Sequence, residues 1–244
     1  MRRLAFALAC LVTMTLASPP AAAQTIADPA TDGQVQPKPP APAKPQTKPV
    51  VPRRNPKPGV GGFGLFDTEW MTAKDTFDAV FETSRLRGAG FGAEAFNLYR
   101  GLFARVTYSK TSESGSRVAI VNDEALPLNI SLELKLNTTE VAGGWRVPLD
   151  RRGRNNVYGG GGVLFLSYRE TSEFAAAGDD SRESFTGYSM FGGVDATIWK
   201  LIYAGAEVQY RLVPDALGEG GVSREFGETD LGGVVVRVMF GVRK

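Results

Sequence analysis

Asp230-Leu231-Gly232-Gly233-Val234-Val235-Val236-Arg237-Val238-Met239-Phe240-Gly241-Val242-Arg243 alternates along its whole length. Its even positions, Gly232, Val234, Val236, Val238, Phe240 and Val242, carry no polar side chain. Its odd positions, Leu231, Gly233, Val235, Arg237, Met239, Gly241 and Arg243, include two arginines. Successive side chains of a strand point to opposite sides. One side of this strand suits an apolar medium and the other can hold charge.

The same period runs back through the chain to Gly59. Gly59 to Phe66 reads as a first strand, and Arg87 to Leu98 as a second. Leu102, Ala104, Val106 and Tyr108 alternate with Phe103, Arg105, Thr107 and Ser109, after which 111–122 reads as a polar loop. From Leu128 to Val147 the apolar positions change from even (Leu132, Leu134, Leu136) to odd (Val141, Gly143, Trp145, Val147). A one-residue phase change is the mark of a β-bulge, expected at Thr138-Thr139. Asn156 to Glu170 follows, with Tyr158, Leu164, Leu166 and Tyr168 opposite Ser167 and Arg169. Phe185 to Trp199, Ile202 to Leu212 and the final stretch complete eight strands. The one helical pattern is Thr72 to Glu82, with Thr72 placed to cap and Phe77, Val80 and Phe81 on one face.

Short turns at 99–101, 148–154 and 199–201 alternate with longer polar loops. That rhythm predicts an all-β, eight-stranded antiparallel up-and-down transmembrane β-barrel over 59–244, with both ends on the short-turn side. The period alone does not say which face is inside. A soluble barrel would bury the apolar face. Charge decides the choice. The polar faces carry Glu94, Arg105, Glu140, Arg169, Asp195, Glu207, Arg211 and Arg237, with Arg rather than Lys as the cation. Arg is the cation suited to buried carboxylate pairs. These eight are the expected lumen charges, and Val234, Val236, Val238 and Phe240 the expected lipid-facing residues. Tyr99, Trp145 and Trp199 stand beside the short turns, where interfacial aromatics belong. Arg237 is expected to meet Glu207 on the neighbouring strand or Glu94 across the lumen. An eight-stranded interior is just wide enough for side chains, so paired charges there would fill it; a narrow polar path is the other reading.

The first residues have the form of a secretory signal: basic Met1-Arg2-Arg3, an apolar run from Leu4 to Leu16, then Ala21-Ala22-Ala23. A signal peptide is expected over 1–23, followed over 24–58 by a disordered basic Pro-rich linker. The linker is a spacer, or a tether to an anionic periplasmic partner such as the cell wall. Cys10, the only cysteine, falls in the signal, and the chain has no histidine. Disulfide and thiolate chemistry in the mature chain, and histidine catalysis or metal ligation, are therefore excluded. A net charge of +2 gives no footprint for nucleic acid. No catalytic, cofactor or metal residues are assigned. Gly159 to Gly162 lacks the Lys-Ser/Thr of a phosphate loop and reads as close strand approach, and Asp179-Asp180 as a solvated loop tip.

Met71-Thr72-Ala73-Lys74 with Phe77-Asp78-Ala79-Val80, Tyr158 to Val163, Glu170 to Phe174, and Glu207 to Tyr210 with Val213 to Gly218 resemble the outer-membrane β-barrel domain family. These are small OmpA- or OmpW-like barrels, in particular uncharacterised acidobacterial ones. The resemblance implies an outer-membrane place and no particular activity. Such barrels usually end on an aromatic residue, whereas this chain ends Phe240-Gly241-Val242-Arg243-Lys244. The expected function is structural, or passive and gated transport, with outer-membrane lipids as partners and the oligomeric state unread. The alternatives are a soluble periplasmic barrel that binds a hydrophobic ligand and a membrane-embedded lipid-modifying enzyme.

Overall fold

The computed structural model describes residues 57–121, 124–150, 152–172, 181–218 and 221–244. The expected signal, nearly all of the linker, Cys10 and Asp179-Asp180 lie outside the described residues. Eight strands close into one barrel in sequence order. They are β1 (Gly59–Met71), β2 (Arg85–Phe96), β3 (Leu102–Val121), β4 (Glu124–Pro148), β5 (Asn155–Ser172), β6 (Ser181–Trp199), β7 (Ile202–Leu212) and β8 (Gly233–Arg243). Every neighbouring pair is antiparallel, including β1 with β8, which closes the ring. Closure leaves no free strand edge, as an apolar solvent requires.

The two ends differ. Tight turns join β2–β3, β4–β5 and β6–β7. In the first, Asn97, Arg100 and Gly101 have φ of 55°, 48° and 92°. A Cβ at Gly101 would lie 2.4 Å from the Arg146 carbonyl oxygen, so only glycine fits. The ends of the barrel wall meet at this same end, where Val60 and Lys244 exchange both backbone hydrogen bonds, of 3.0 and 2.9 Å. At the other end lie helix α1 (Lys74–Phe81), helix α2 (Gly221–Glu225) and the long excursions of β3–β6.

β7 and β8 have 11 residues each. That matches the roughly 9–11 tilted residues that cross a bilayer core. β3 to β6 are longer, at 20, 25, 18 and 19 residues, and rise past the others at the loop end. The polar stretch after Ser109, expected as a loop, is the upper half of β3.

Even-numbered residues of β4 point inward from Leu132 to Gly144 without interruption, and both of its ladders run through Thr138 and Thr139 in register. There is no bulge there. The apparent phase change is a change of chemistry on two fixed faces. Inside, Leu132, Leu134 and Leu136 give way to Thr138 and Glu140; outside, Lys135 and Asn137 give way to Val141, Trp145 and Val147. The register shift of the β3–β4 ladder falls between Ser116 and Val118, near the loop tip.

The upper interior is an apolar core in which Phe77 and Phe81 of α1 pack with Leu86, Leu132, Leu134, Leu164, Leu166, Val213 and Leu231. Thr72 does not cap α1. The N-cap is Ala73, which makes no side-chain cap bond. Glu228, from the β7–β8 loop, supplies the cap instead, accepting the Asp75 and Thr76 amides at 3.1 and 2.8 Å. A carboxylate at that end suits the helix dipole and ties α1 to the last loop.

Candidate functional site

Within the belt the interior is ionic. Register sets which charges meet. Asp67 on β1 faces Arg237 on β8, and Glu207 on β7 faces Arg237 from the other side. Arg237 donates to Asp67 at 2.8 and 3.0 Å and to Glu140 at 3.1 Å, with Glu207 at 3.6 Å. Arg105 from β3 reaches across to Glu207 with a two-pronged pair, its second bond at 2.8 Å. Arg211 binds Glu69 at 2.8 Å and the Gln209 amide oxygen at 2.8 Å. Glu140, at 0% exposure, also accepts from Thr107, Ser189 and Gln209.

A second tier lies nearer the short-turn end. Arg243 holds Asp195 at 2.7 and 3.1 Å and Glu94 at 2.7 Å. Arg146 shares both carboxylates, at 2.9 Å to Glu94 and 3.0 Å to Asp195. Asn156 donates to Asp195 at 2.9 Å. Rings fill the space around these groups: the Arg105 guanidinium lies 3.9 Å above the Phe191 ring and that of Arg243 3.5 Å above Tyr203. Cation–π contact of this kind offsets part of the loss of hydration.

The two tiers hold six carboxylates (Asp67, Glu69, Glu94, Glu140, Asp195, Glu207) and five guanidiniums (Arg105, Arg146, Arg211, Arg237, Arg243). Each carboxylate accepts a hydrogen bond from at least one guanidinium. Deep charges are tolerable only when paired and hydrogen-bonded in this way.

Of the eight residues expected in the lumen, Glu94, Arg105, Glu140, Asp195, Glu207, Arg211 and Arg237 are buried there. Arg169 is not: it is exposed on the outer face of β5, above the apolar belt. Glu94 does not pair with Arg237 but with Arg146 and Arg243. Asp67, Glu69, Arg146 and Arg243 were missed. A first strand ended at Phe66 cuts off Asp67 and Glu69, although odd positions run inward from Phe63 to Met71. Arg146 has the parity of Glu140 past the supposed bulge but was not counted beside the basic turn that follows, and Arg243 looked like a tail.

The outer face carries the complementary pattern. Val234, Val236, Val238 and Phe240 are 42, 37, 38 and 53% exposed, and Val106, Val141, Phe165, Met190, Val194 and Val208 continue the surface around the barrel. Tyr99, Trp145 and Trp199 are exposed in or beside the short turns. Tyr158, Leu164 and Leu166 of β5, read from sequence as part of an apolar lipid-side face, point inward. The architecture is that of a closed eight-stranded up-and-down β-barrel with an apolar outer belt and an ionic interior.

No protein-family model matches the chain, and no curated protein matches it in sequence. Among solved structures it is similar to Ail, the attachment invasion locus protein of Yersinia pestis, in complex with the heparin analogue sucrose octasulfate. The TM-score is 0.47 at 11% identity, over 76% of this chain and 99% of that one. It is also similar to Neisserial surface protein A, with TM-score 0.42, 12% identity, and 76% and 95% of the two chains covered. A third is the N-terminal β-barrel domain of Pseudomonas aeruginosa OprF, with TM-score 0.40, 11% identity, and 76% and 99% covered. The barrel's closure and strand order rest on its own ladder, pair by pair.

Above the ionic tiers a cup of about 550 Å³ opens between α1, the tops of β3–β6 and the β7–β8 loop. Phe77, Phe81, Leu132 and Phe185 line it with Glu170, Glu183, Asp215 and Arg117. Tyr168 donates to Glu170 at 2.9 Å on its wall. The leucine core separates the cup from the lumen charges. Among the described residues, no three His, Cys, Asp or Glu side chains are arranged to hold a metal ion.

Proposed function

We propose that this protein is an integral outer-membrane barrel whose lumen is closed by its own ion pairs, and which acts as a structural platform presenting its loop end. One observation carries this reading. Five arginines and six carboxylates fill the inside at the heights where the outside is apolar. A soluble barrel needs the opposite arrangement. A bilayer core rewards an apolar outer band and leaves the inside free to be polar. The membrane reading thus accounts for both faces.

The plug is favoured over a gated pore by the pairing itself. Arg105, Arg211 and Arg237 bridge carboxylates from β1, β4 and β7, crossing the lumen rather than lining it. The apolar layer of α1 and the leucines lies over them. An ion would have to displace both. The short-turn end carries Pro58 and Lys244; short turns of outer-membrane barrels face the periplasm, and on that rule the linker lies on the same side. The cell wall is a partner the basic linker could reach from there.

Planar-bilayer recording tests the plug. The wild-type protein should show no steady current. A steady current that changes on Arg237→Ala would overturn the plug in favour of a pore. Fractionation tests the membrane itself: recovery in the soluble fraction without detergent would end the reading in favour of a soluble periplasmic barrel. Release of fatty acid from outer-membrane lipid by purified protein would establish the enzyme alternative.

A further inference from the structure

The cup at the loop end is walled by aromatic rings. Phe77 and Phe81 come from α1, with ring centroids 5.5 Å apart, Tyr168 from β5 and Phe185 from β6. Register gathers the strand residues: Phe185 lies opposite Leu166, and Glu183 opposite Tyr168, across β5–β6. Tyr168 and Phe185 pack against the leucine core and also line the cup. Its volume of about 550 Å³ suits a small organic molecule, for which pockets of roughly 300–1,000 Å³ are usual.

Charge on the wall is mostly of one sign. Three carboxylates, Glu170, Glu183 and Asp215, and one guanidinium, Arg117, are among the described lining residues. Glu170 accepts a hydrogen bond of 2.9 Å from the Tyr168 hydroxyl. A phenol brings no positive charge, so this bond fixes the carboxylate beside the ring without neutralising it. The face of an aromatic ring is the negative part of its quadrupole and attracts a cation within roughly 6 Å. Rings and carboxylates therefore select the same sign of charge, while Leu132 and Leu217 offer contact to hydrocarbon. An anion would meet repulsion from both. A wholly apolar occupant would strip water from Glu170 and return nothing for it. A metal ion lacks its ligand set, since no three carboxylates among the described residues are arranged to hold one.

We propose that this cup is a binding site for an organic ammonium ion with an apolar body. The alkyl groups of such an ion pack on the four rings, and its charge faces Glu170 and Asp215. This goes beyond the structural platform proposed above, and it does not depend on the medium around the belt.

The test is calorimetric titration of the full chain in uncharged maltoside micelles, with benzyltrimethylammonium, benzyl alcohol and benzenesulfonate as probes. The ammonium should bind saturably at one site, about tenfold or more tighter than either of the others. The E170Q/D215N variant keeps hydrogen-bond acceptors and should weaken ammonium binding by about fivefold or more. Phe185→Leu keeps apolar bulk but removes a ring, and should weaken it by about threefold. Arg117→Gln removes the opposing cation and should tighten it by about twofold or more, a gain that misfolding cannot produce. No saturable binding of the ammonium, equal affinity for the three probes, unchanged affinity in E170Q/D215N, or weaker binding in Arg117→Gln would overturn the proposal.

Discussion

Arg237 on β8 and Asp67 on β1 are register partners across the closing seam of the barrel, joined by hydrogen bonds of 2.8 and 3.0 Å. The pair fastens the first strand to the last from inside, while Phe66 and Val238 lie opposite each other on the outside. Removing the guanidinium leaves Asp67 and Glu140 without this donor in a buried site. Arg237→Met should cost about 3–5 kcal/mol in urea unfolding followed by tryptophan fluorescence. Adding Asp67→Asn to that variant should recover part of the loss, because one orphaned charge is gone. Full additivity of the two changes would contradict a direct pair.

The outer face should be sensitive to charge by depth. Val236 lies near the middle of β8, between Thr68 and Val208 on the neighbouring strands. Val236→Arg should cost about 2–4 kcal/mol in a lipid or micelle host. Ser184→Arg, on the exposed face of β6 above the belt, should change stability by only a few tenths of a kcal/mol. Equal costs would mean that no apolar solvent surrounds the belt.

Glu228 should matter more to α1 than any residue of its own first turn. Glu228→Gln removes the charge facing the Asp75 and Thr76 amides and replaces one of the two accepting oxygens with an NH2 donor. Loss of about 0.5–1 kcal/mol locally is expected, seen as faster hydrogen exchange over 74–81. Exchange in the β8 ladder should stay unchanged.

α1 should also loosen in acid. The hydrogen bond from Lys74 holds the Asp78 carboxyl below its usual range. Its folded pKa is therefore below the unfolded value of about 3.9. The pair's contribution is complete above that pH and fades as pH falls through the folded value. Protection over 74–81, measured relative to the intrinsic exchange rate at each pH, should fall on acidification from pH 5 toward pH 3, and Asp78→Asn should flatten that dependence.

Strand number, order and the short-turn rhythm were legible because a half-apolar strand writes its two faces at period two. Most lumen charges were legible for the same reason: Arg105, Glu207 and Arg237 sit alone among apolar or small neighbours. The failures on β4 and β5 share one cause. Where β3 to β6 leave the belt, the outer solvent changes from apolar to aqueous, and both faces swap chemistry. Leu132, Leu134 and Leu136 therefore looked like a lipid face and Thr138-Thr139 like a bulge. Arg169 looked lumenal because inside the belt an arginine would have to be. Asp67 and Glu69 were lost when the first strand was ended at Phe66, and Arg243 needed its partners Glu94 and Asp195 to be seen as more than a polar end.

The central claim is that the apolar outer face meets lipid. Met190, 70% exposed on β6, is the site to probe. Cys10 is the only cysteine, so a Cys10→Ser background gives a single labelling position. A nitroxide on Met190→Cys in reconstituted bilayers should collide readily with oxygen and poorly with a water-soluble nickel chelate, and one on Ser184→Cys should do the reverse. A Met190 label more accessible to the nickel chelate than to oxygen would contradict the account.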